Sequence, residues 1–208
     1  MAYFYELYRQ ALSTSPSAKS LELENLNSVD IGGLIHMKNL QILRLRKIQW
    51  SLGFYPRLFQ HLVNLEKLTL QTCNLRQADI DALSEFLVVT ETLKKLSIEN
   101  CGFLVENSSE CVTQILESAK RNKSLEWLGL VNLNVNENHE DLIAELISTH
   151  PTLQFLDLAH TSIKDTKGKI WTAFGTNPRL RVIFTHDCDF LSEGMKDAYE
   201  ELSKKRMI

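Results

Sequence analysis

The chain lacks most of the signals that announce a specialised chemistry. It has no run of about 18 or more apolar residues, so no membrane span is expected. Its N-terminus, MAYFYELYRQALS, carries Glu6 early, without a basic start or a pure apolar stretch, and so is not a secretory signal. Neither sign of charge dominates. The 23 Lys and Arg face 26 Asp and Glu, a net charge of −3, whereas a dedicated nucleic-acid binder needs a basic excess. The four cysteines, Cys73, Cys101, Cys111 and Cys188, show no CxxC spacing. They read as reduced thiols of an intracellular chain, not as a disulfide frame or a zinc site. The eight glycines are scattered and build no phosphate cradle. No GxSxG, HExxH or EF-hand loop occurs. No cofactor and no metal are expected. Sequons at Asn107 and Asn122 read as chance in a chain without an export signal.

Leucine is what the chain has in excess. It supplies 34 of 208 residues, 16%, spread evenly along the rows. An ordinary soluble domain carries about a tenth. With 44% hydrophobic and 24% charged residues the chain can bury a real core, which argues against disorder.

Aligning the chain with itself explains the excess. The pattern LxxLxLxx(N/C)xL falls on Leu40, Leu43, Leu45, Ile48 and Trp50, then on Leu65, Leu68, Leu70, Cys73 and Leu75. It recurs on Leu93, Leu96, Ile98, Cys101 and Phe103, on Leu125, Leu128, Leu130, Leu133 and Val135, and on Leu153, Leu156, Leu158, Thr161 and Ile163. Degraded copies sit at Ala18, Leu21, Leu23, Leu26 and Ser28 and at Leu180, Ile183, Thr185, Cys188 and Phe190. The copies are spaced by 22, 25, 28, 32, 28 and 27 residues. Between them lie segments apolar at helical spacing: Ala78-Ile80-Leu83-Phe86-Leu87, Cys111-Val112-Ile115-Leu116-Ala119 and Leu142-Ile143-Leu146-Ile147.

This pattern resembles the leucine-rich repeat over roughly residues 18–191. Steps near 28, with room for a helix after each strand, resemble its ribonuclease-inhibitor-like class. That class includes Ran GTPase activators, the tropomodulin C-terminal domain and the sensor domains of NOD-like receptors. The resemblance implies an α/β solenoid, a right-handed β-α superhelix of about seven repeats, with a parallel inner sheet and outer helices. Period-two strands send the fourth and sixth places into the core and the third, fifth and seventh onto the inner face. Each unit needs its neighbours to cover its apolar side. The ninth place, where the chain turns away, wants a small buried group that can meet backbone donors or at least fit. One domain is expected over 1–208. A capping helix over 1–17 would put Phe4, Leu7, Tyr8 and Ala11 on one face, and a second over 192–208 would start at Ser192. With both caps the chain reads as a complete small protein.

One cluster looks catalytic: His160, His186, Asp187 and Cys188. His160 and Asp187 share the eighth place of adjacent copies and should stand about 5 Å apart. A Cys-His-Asp nucleophile is one reading. A surface His–Asp pair above a buried ninth-place cysteine is the reading preferred. A GTPase activator is the weakest alternative, since the chain is short for one and lacks an acidic tail.

The inner face can be listed by column. The third places are Ser20, Ile42, Lys67, Lys95, Trp127, Phe155 and Val182; the fifth are Glu22, Arg44, Thr69, Ser97, Gly129, Asp157 and Phe184; the seventh are Glu24, Arg46, Gln71, Glu99, Val131, Ala159 and His186. The first half is charged. The second half gathers Trp127, Phe155, Val182 and Phe184 into an expected apolar patch, of the kind that marks interaction sites. A loop, the C-terminal segment or a second copy of the chain could cover it instead. Arg44, Arg46 and Lys47 read as a solvated basic face or as a site for an acidic segment or phosphate group. The expectation is a non-enzymatic scaffold that binds a protein partner on its concave face through Trp127, Phe155, Phe184, Val182, Arg44, Arg46, Lys67 and Lys95. It is expected to be monomeric, with self-association through the patch as a further option, and to bind neither nucleic acid nor membrane. The alternative is a regulatory or effector protein docking on a signalling machine, intracellular or delivered to a host cell without a signal peptide.

Overall fold

A computed structural model describes residues 17–25, 34–48, 53–188 and 193–206. The expected N-terminal cap lies outside the described residues, as do Leu26, Ser28, Trp50, Phe190 and Ser192.

Seven strands form one parallel sheet: β1 (Ser20–Glu24), β2 (Ile42–Arg46), β3 (Lys67–Gln71), β5 (Lys95–Glu99), β7 (Trp127–Val131), β8 (Phe155–Asp157) and β9 (Val182–Phe184), side by side in that order. The register is that of the aligned copies: Ser20 pairs Ile42, then Lys67, Lys95, Trp127, Phe155 and Val182 follow in one row. Two short strands, β4 (Asn74–Leu75) and β6 (Gly102–Phe103), pair separately just past the turn.

The length of each step sets its outer element. The 25-residue step carries the short α1 (Phe54–Phe59), and the steps of 28 and 32 carry α2 (Gln77–Val89) and α3 (Ser108–Arg121). Next come α4 (Glu140–Thr149) and α5 (Lys169–Thr176). Neighbouring helices pack on one another, and α6 (Glu193–Arg206) lies beside β9. Among the described residues no helix is long and apolar enough to cross a membrane.

The core lies between sheet and helices. Leu43, Leu45, Leu68, Leu70, Leu96, Ile98, Leu128, Leu130, Leu156 and Leu158, at the fourth and sixth places, are fully buried. Each such side chain contributes about 1.5–3 kcal/mol. Facing them are Ile80, Leu83 and Leu87 of α2, Val112, Ile115 and Leu116 of α3, and Ile143, Leu146 and Ile147 of α4. Ala78 is exposed and Leu142 half-buried, so they frame this face without filling it. At the ninth places the expected backbone donors are carbonyl acceptors instead. The buried thiols of Cys73, Cys101 and Cys188 lie 3.4, 3.4 and 2.9 Å from the carbonyls of Leu45, Leu70 and Leu158 one unit earlier. A thiol is a weak donor, and these carbonyls face it across the turn.

A further regularity sits at the eighth places. Asn25, Lys47, Thr72, Asn100, Asn132, His160 and Asp187 all have φ between 50° and 57°. Each turns the chain out of the sheet through the left-handed region. The first six donate their N–H to the seventh-place carbonyl of the next strand, at 2.8–3.0 Å.

Candidate functional site

The sheet face is where the sequence places its unusual residues, and the strands bring several of them into contact. Trp127 on β7 stacks on Phe155 of β8, with ring centroids 5.0 Å apart and 27° between planes. It also stacks on Phe184 of β9, at 5.5 Å and 29°. All three are half-buried and keep part of their rings in solvent. Lys95, the register partner of Trp127, holds its Nζ 4.0 Å from the centroid of the indole. The ammonium rests on the negative face of the ring.

Val182 is not part of the exposed patch. It is 6% exposed, on the edge strand beside which α6 packs. Val182 shares the strand face with Phe155 and Phe184 but is covered there, so the last copy presents Phe184 and not Val182.

Beside Trp127 the floor is low. Gly129 lies in the fifth column against Ser97, and a Cβ there would come within 2.9 Å of the Ser97 Oγ. Ser97 is almost fully buried and donates to Glu99 Oε1 at 2.6 Å, while Gln71 donates to Glu99 Oε2 at 3.1 Å. Asp157 accepts from the N–H of Ala159 at 3.1 Å, and burial pushes its carboxyl above the usual range.

The basic residues divide. Arg46 is half-buried and pairs with Glu24 at 3.5 Å. Lys47 occupies one of the left-handed turns. Arg44 and Lys67 are exposed, Lys67 is the register partner of Lys95, and no ion pair ties any of these three among the described residues. Burial lowers the Lys95 ammonium below its ordinary range; Glu99 and Asp157 oppose that shift, and the like charges of Lys67 and Arg44 add to it.

The His160 cluster resolves into a surface pair. His160 Nδ1 meets Asp187 Oδ2 at 3.2 Å, and the ring sits edge-on to His186 at 5.0 Å. Cys188 is turned inward, toward the Leu158 carbonyl and the Thr161 hydroxyl. Nucleophile and base therefore face opposite sides of the turn. Among the described residues no group of three His, Cys, Asp or Glu could hold a metal ion.

Two local features were not read from the sequence. The left-handed eighth place was signalled by Asn25, Asn100, Asn132, His160 and Asp187, since Asn, Asp and His are the side chains most at home there. On the outer side, Val88 and Val89 at the end of α2 are exposed beside a groove of about 800 Å³ between α2 and α3.

No family model matches the chain. A mouse protein, "NACHT, LRR and PYD domains-containing protein 4C", is 25% identical over 154 residues, 73% of this chain but 15% of that protein. Among solved structures, "Leiomodin-1 Actin-Binding Site 2 (ABS2)" superposes with a TM-score of 0.61 at 16% identity, covering 76% of this chain and 90% of that one. The tropomodulin C-terminal domain of Caenorhabditis elegans gives 0.50 at 15% identity over 73% and 89%. A Bacteroides fragilis protein gives 0.56 at 20% identity over 84% and 48%. The fold is of the leucine-rich repeat type.

Proposed function

We propose that this chain is a non-enzymatic scaffold of the ribonuclease-inhibitor-like repeat class, and that it binds a protein partner on the concave face of its sheet. The observation that carries this reading is the stack of Trp127, Phe155 and Phe184, three rings held part-exposed at adjoining places of a strand face that solvent would ordinarily make polar. Large aromatic side chains anchor interfaces because they release much apolar area and freeze few rotors. A sheet backed by a filled core is already rigid, so little ordering is left to offset on binding. The similarity to a mouse protein named for its LRR domain, and to a leiomodin segment named as an actin-binding site, supports a binding role over catalysis. No member of the His160 cluster is placed to act as a nucleophile–base pair.

The test is affinity capture with wild type, Trp127→Ala, Phe155→Ala and Arg44→Glu. Trp127→Ala and Phe155→Ala are expected to keep a cooperative thermal transition and to lose the partner retained by wild type. If either substitution abolishes the transition, the rings belong to the core and the reading fails. Undiminished capture by both aromatic variants overturns it as well.

A further inference from the structure

We infer that the segment this face takes is an acidic one: an extended stretch of a protein partner that sets one or two carboxylates over Arg44, Lys67 and Lys95 and, about three residues further on, a large apolar side chain on the Trp127–Phe155–Phe184 stack. This rests on the concave-face reading and narrows it.

The first ground is a like-charge pair that folding does not require. Lys67 and Lys95 are direct register partners on adjacent parallel strands, and Arg44 stands in the next column on β2. Like charges directly opposite one another destabilise a sheet. The protein nevertheless leaves all three without an ion pair among the described residues, while Arg46, one column away, is neutralised by Glu24. Lys95 registers the crowding: its ammonium is partly desolvated and lies within the fields of Lys67 and Arg44, which Glu99 and Asp157 oppose from the other side. A carboxylate placed between Lys67 and Lys95 relieves that crowding.

The second ground is the boundary of the basic patch. On one side lie Glu22 and Glu24 of β1; on the other lie Glu99 and Asp157. A long polyanion or an anionic membrane surface would run past the three cations onto these carboxylates. A short acidic stretch fits between them.

The third ground is distance. Lys67, Lys95 and Trp127 lie in one row on successive strands. Neighbouring strands stand about 4.8 Å apart, so the centre of the basic patch is roughly 10 Å from Trp127, the near edge of the ring stack, which an extended chain crosses in about three residues. Lys95 joins the two halves, because its ammonium sits on the indole face, 4.0 Å from the ring centroid, while its charge belongs to the basic patch.

The experiment is selection of a phage-displayed random dodecapeptide library on the full chain. Binding of the enriched peptides is then titrated against wild type, Lys67→Glu/Lys95→Glu and Trp127→Ala, with folding of each followed by circular dichroism. The expected result is enrichment of an Asp or Glu pair about three residues from Leu, Ile, Phe or Trp. Affinity should fall about tenfold or more on the charge-reversed variant, and fall with rising salt. Lys67→Gln/Lys95→Gln, which removes the charge without reversing it, replaces the double Glu variant if that one does not fold. Enriched peptides with no acidic bias, sensitive to Trp127→Ala and indifferent to the lysines, overturn the inference and leave the concave-face reading standing. Peptides indifferent to every variant overturn both. Failure to enrich any peptide above a blank support, or retention of single-stranded DNA or phosphatidylserine vesicles at physiological salt in place of peptides, also overturns it.

Discussion

His150 stands where Asn122 stands one unit earlier. Asn122 follows α3; its Nδ2 donates to the carbonyls of Leu87 and Thr90 at 2.7 and 3.1 Å, and its Oδ1 accepts from the N–H groups of Ser124 and Leu125. Asn177, one unit later, donates to Ile147 and accepts from Arg179. At His150 the ring Nδ1 does the accepting, from Thr152 and Leu153 at 3.3 and 3.0 Å. The proton of the neutral ring therefore sits on Nε2.

Stability should consequently depend on acid at one buried residue. Burial holds His150 down at about 4, against 6.5 for a free imidazole. The folded state binds fewer protons than the unfolded state between these values, so the contribution is intact above pH 6.5 and is lost as pH falls toward 4. The loss at pH 4.5 relative to pH 7 is about 2–3 kcal/mol. Urea denaturation of wild type and His150→Asn at both values checks it. The variant borrows the neighbouring units' solution and should lose less stability to acid by about that amount. Parallel losses in the two proteins would remove His150 as the cause.

The left-handed turn at Asn100 should tolerate glycine and resist branching. Its φ is 53°, and its Oδ1 accepts from Asn132 Nδ2 at 2.7 Å. Asn100→Val and Asn100→Gly lose that bond equally. Valine also meets the steric cost of the left-handed region, so it should be less stable than glycine by about 1–2 kcal/mol. Denaturant midpoints of the two variants give the difference.

Gly129 should not accept alanine while Ser97 is present. The new Cβ would lie 2.9 Å from the Ser97 Oγ but 3.6 Å from its Cβ. Gly129→Ala should cost about 1–2 kcal/mol through overpacking. Adding Ser97→Ala should return part of that cost. A double-mutant cycle on thermal unfolding reads the coupling, and additive effects would show that the two residues do not collide.

Arg206 ties α6 to the preceding unit. Its Nη1 donates to the carbonyls of Phe174, Asn177 and Leu180, each at 2.8 Å, its Nη2 to Gly175 at 3.1 Å, and its guanidinium lies over the Phe174 ring at 4.7 Å. Arg206→Ala should destabilise by about 2–3 kcal/mol. Arg206→Lys should recover little, because an ammonium cannot span the same fan of carbonyls. Hydrogen exchange should show the loss concentrated in α5 and β9.

The sheet was legible because leucine spacing and strand period state the same thing twice. Once Leu43, Leu45, Leu68 and Leu70 are placed inward, the row of Lys67, Lys95, Trp127 and Phe155 follows without further information. The stacking of Trp127 across to Phe184 depends on ring orientation, which spacing does not encode. Val182 falls in the expected row yet is covered, because exposure at an edge strand is decided by what lies beside it. The turn residues were visible as an Asn-rich column, but a column defined by backbone angle shows itself only through tolerance: Lys47 and Thr72 adopt the same φ without resembling asparagine.

The seven left-handed residues also act as a clock. Steps that differ by up to ten residues between them all re-enter the sheet in the same row. Residues gained or lost between one turn and the next strand are taken up on the helical side and never carried forward as a phase error. The outer surface can therefore lengthen or shorten by insertion while every address on the inner face keeps its neighbours. The strand face and the helical face are free to change on separate schedules.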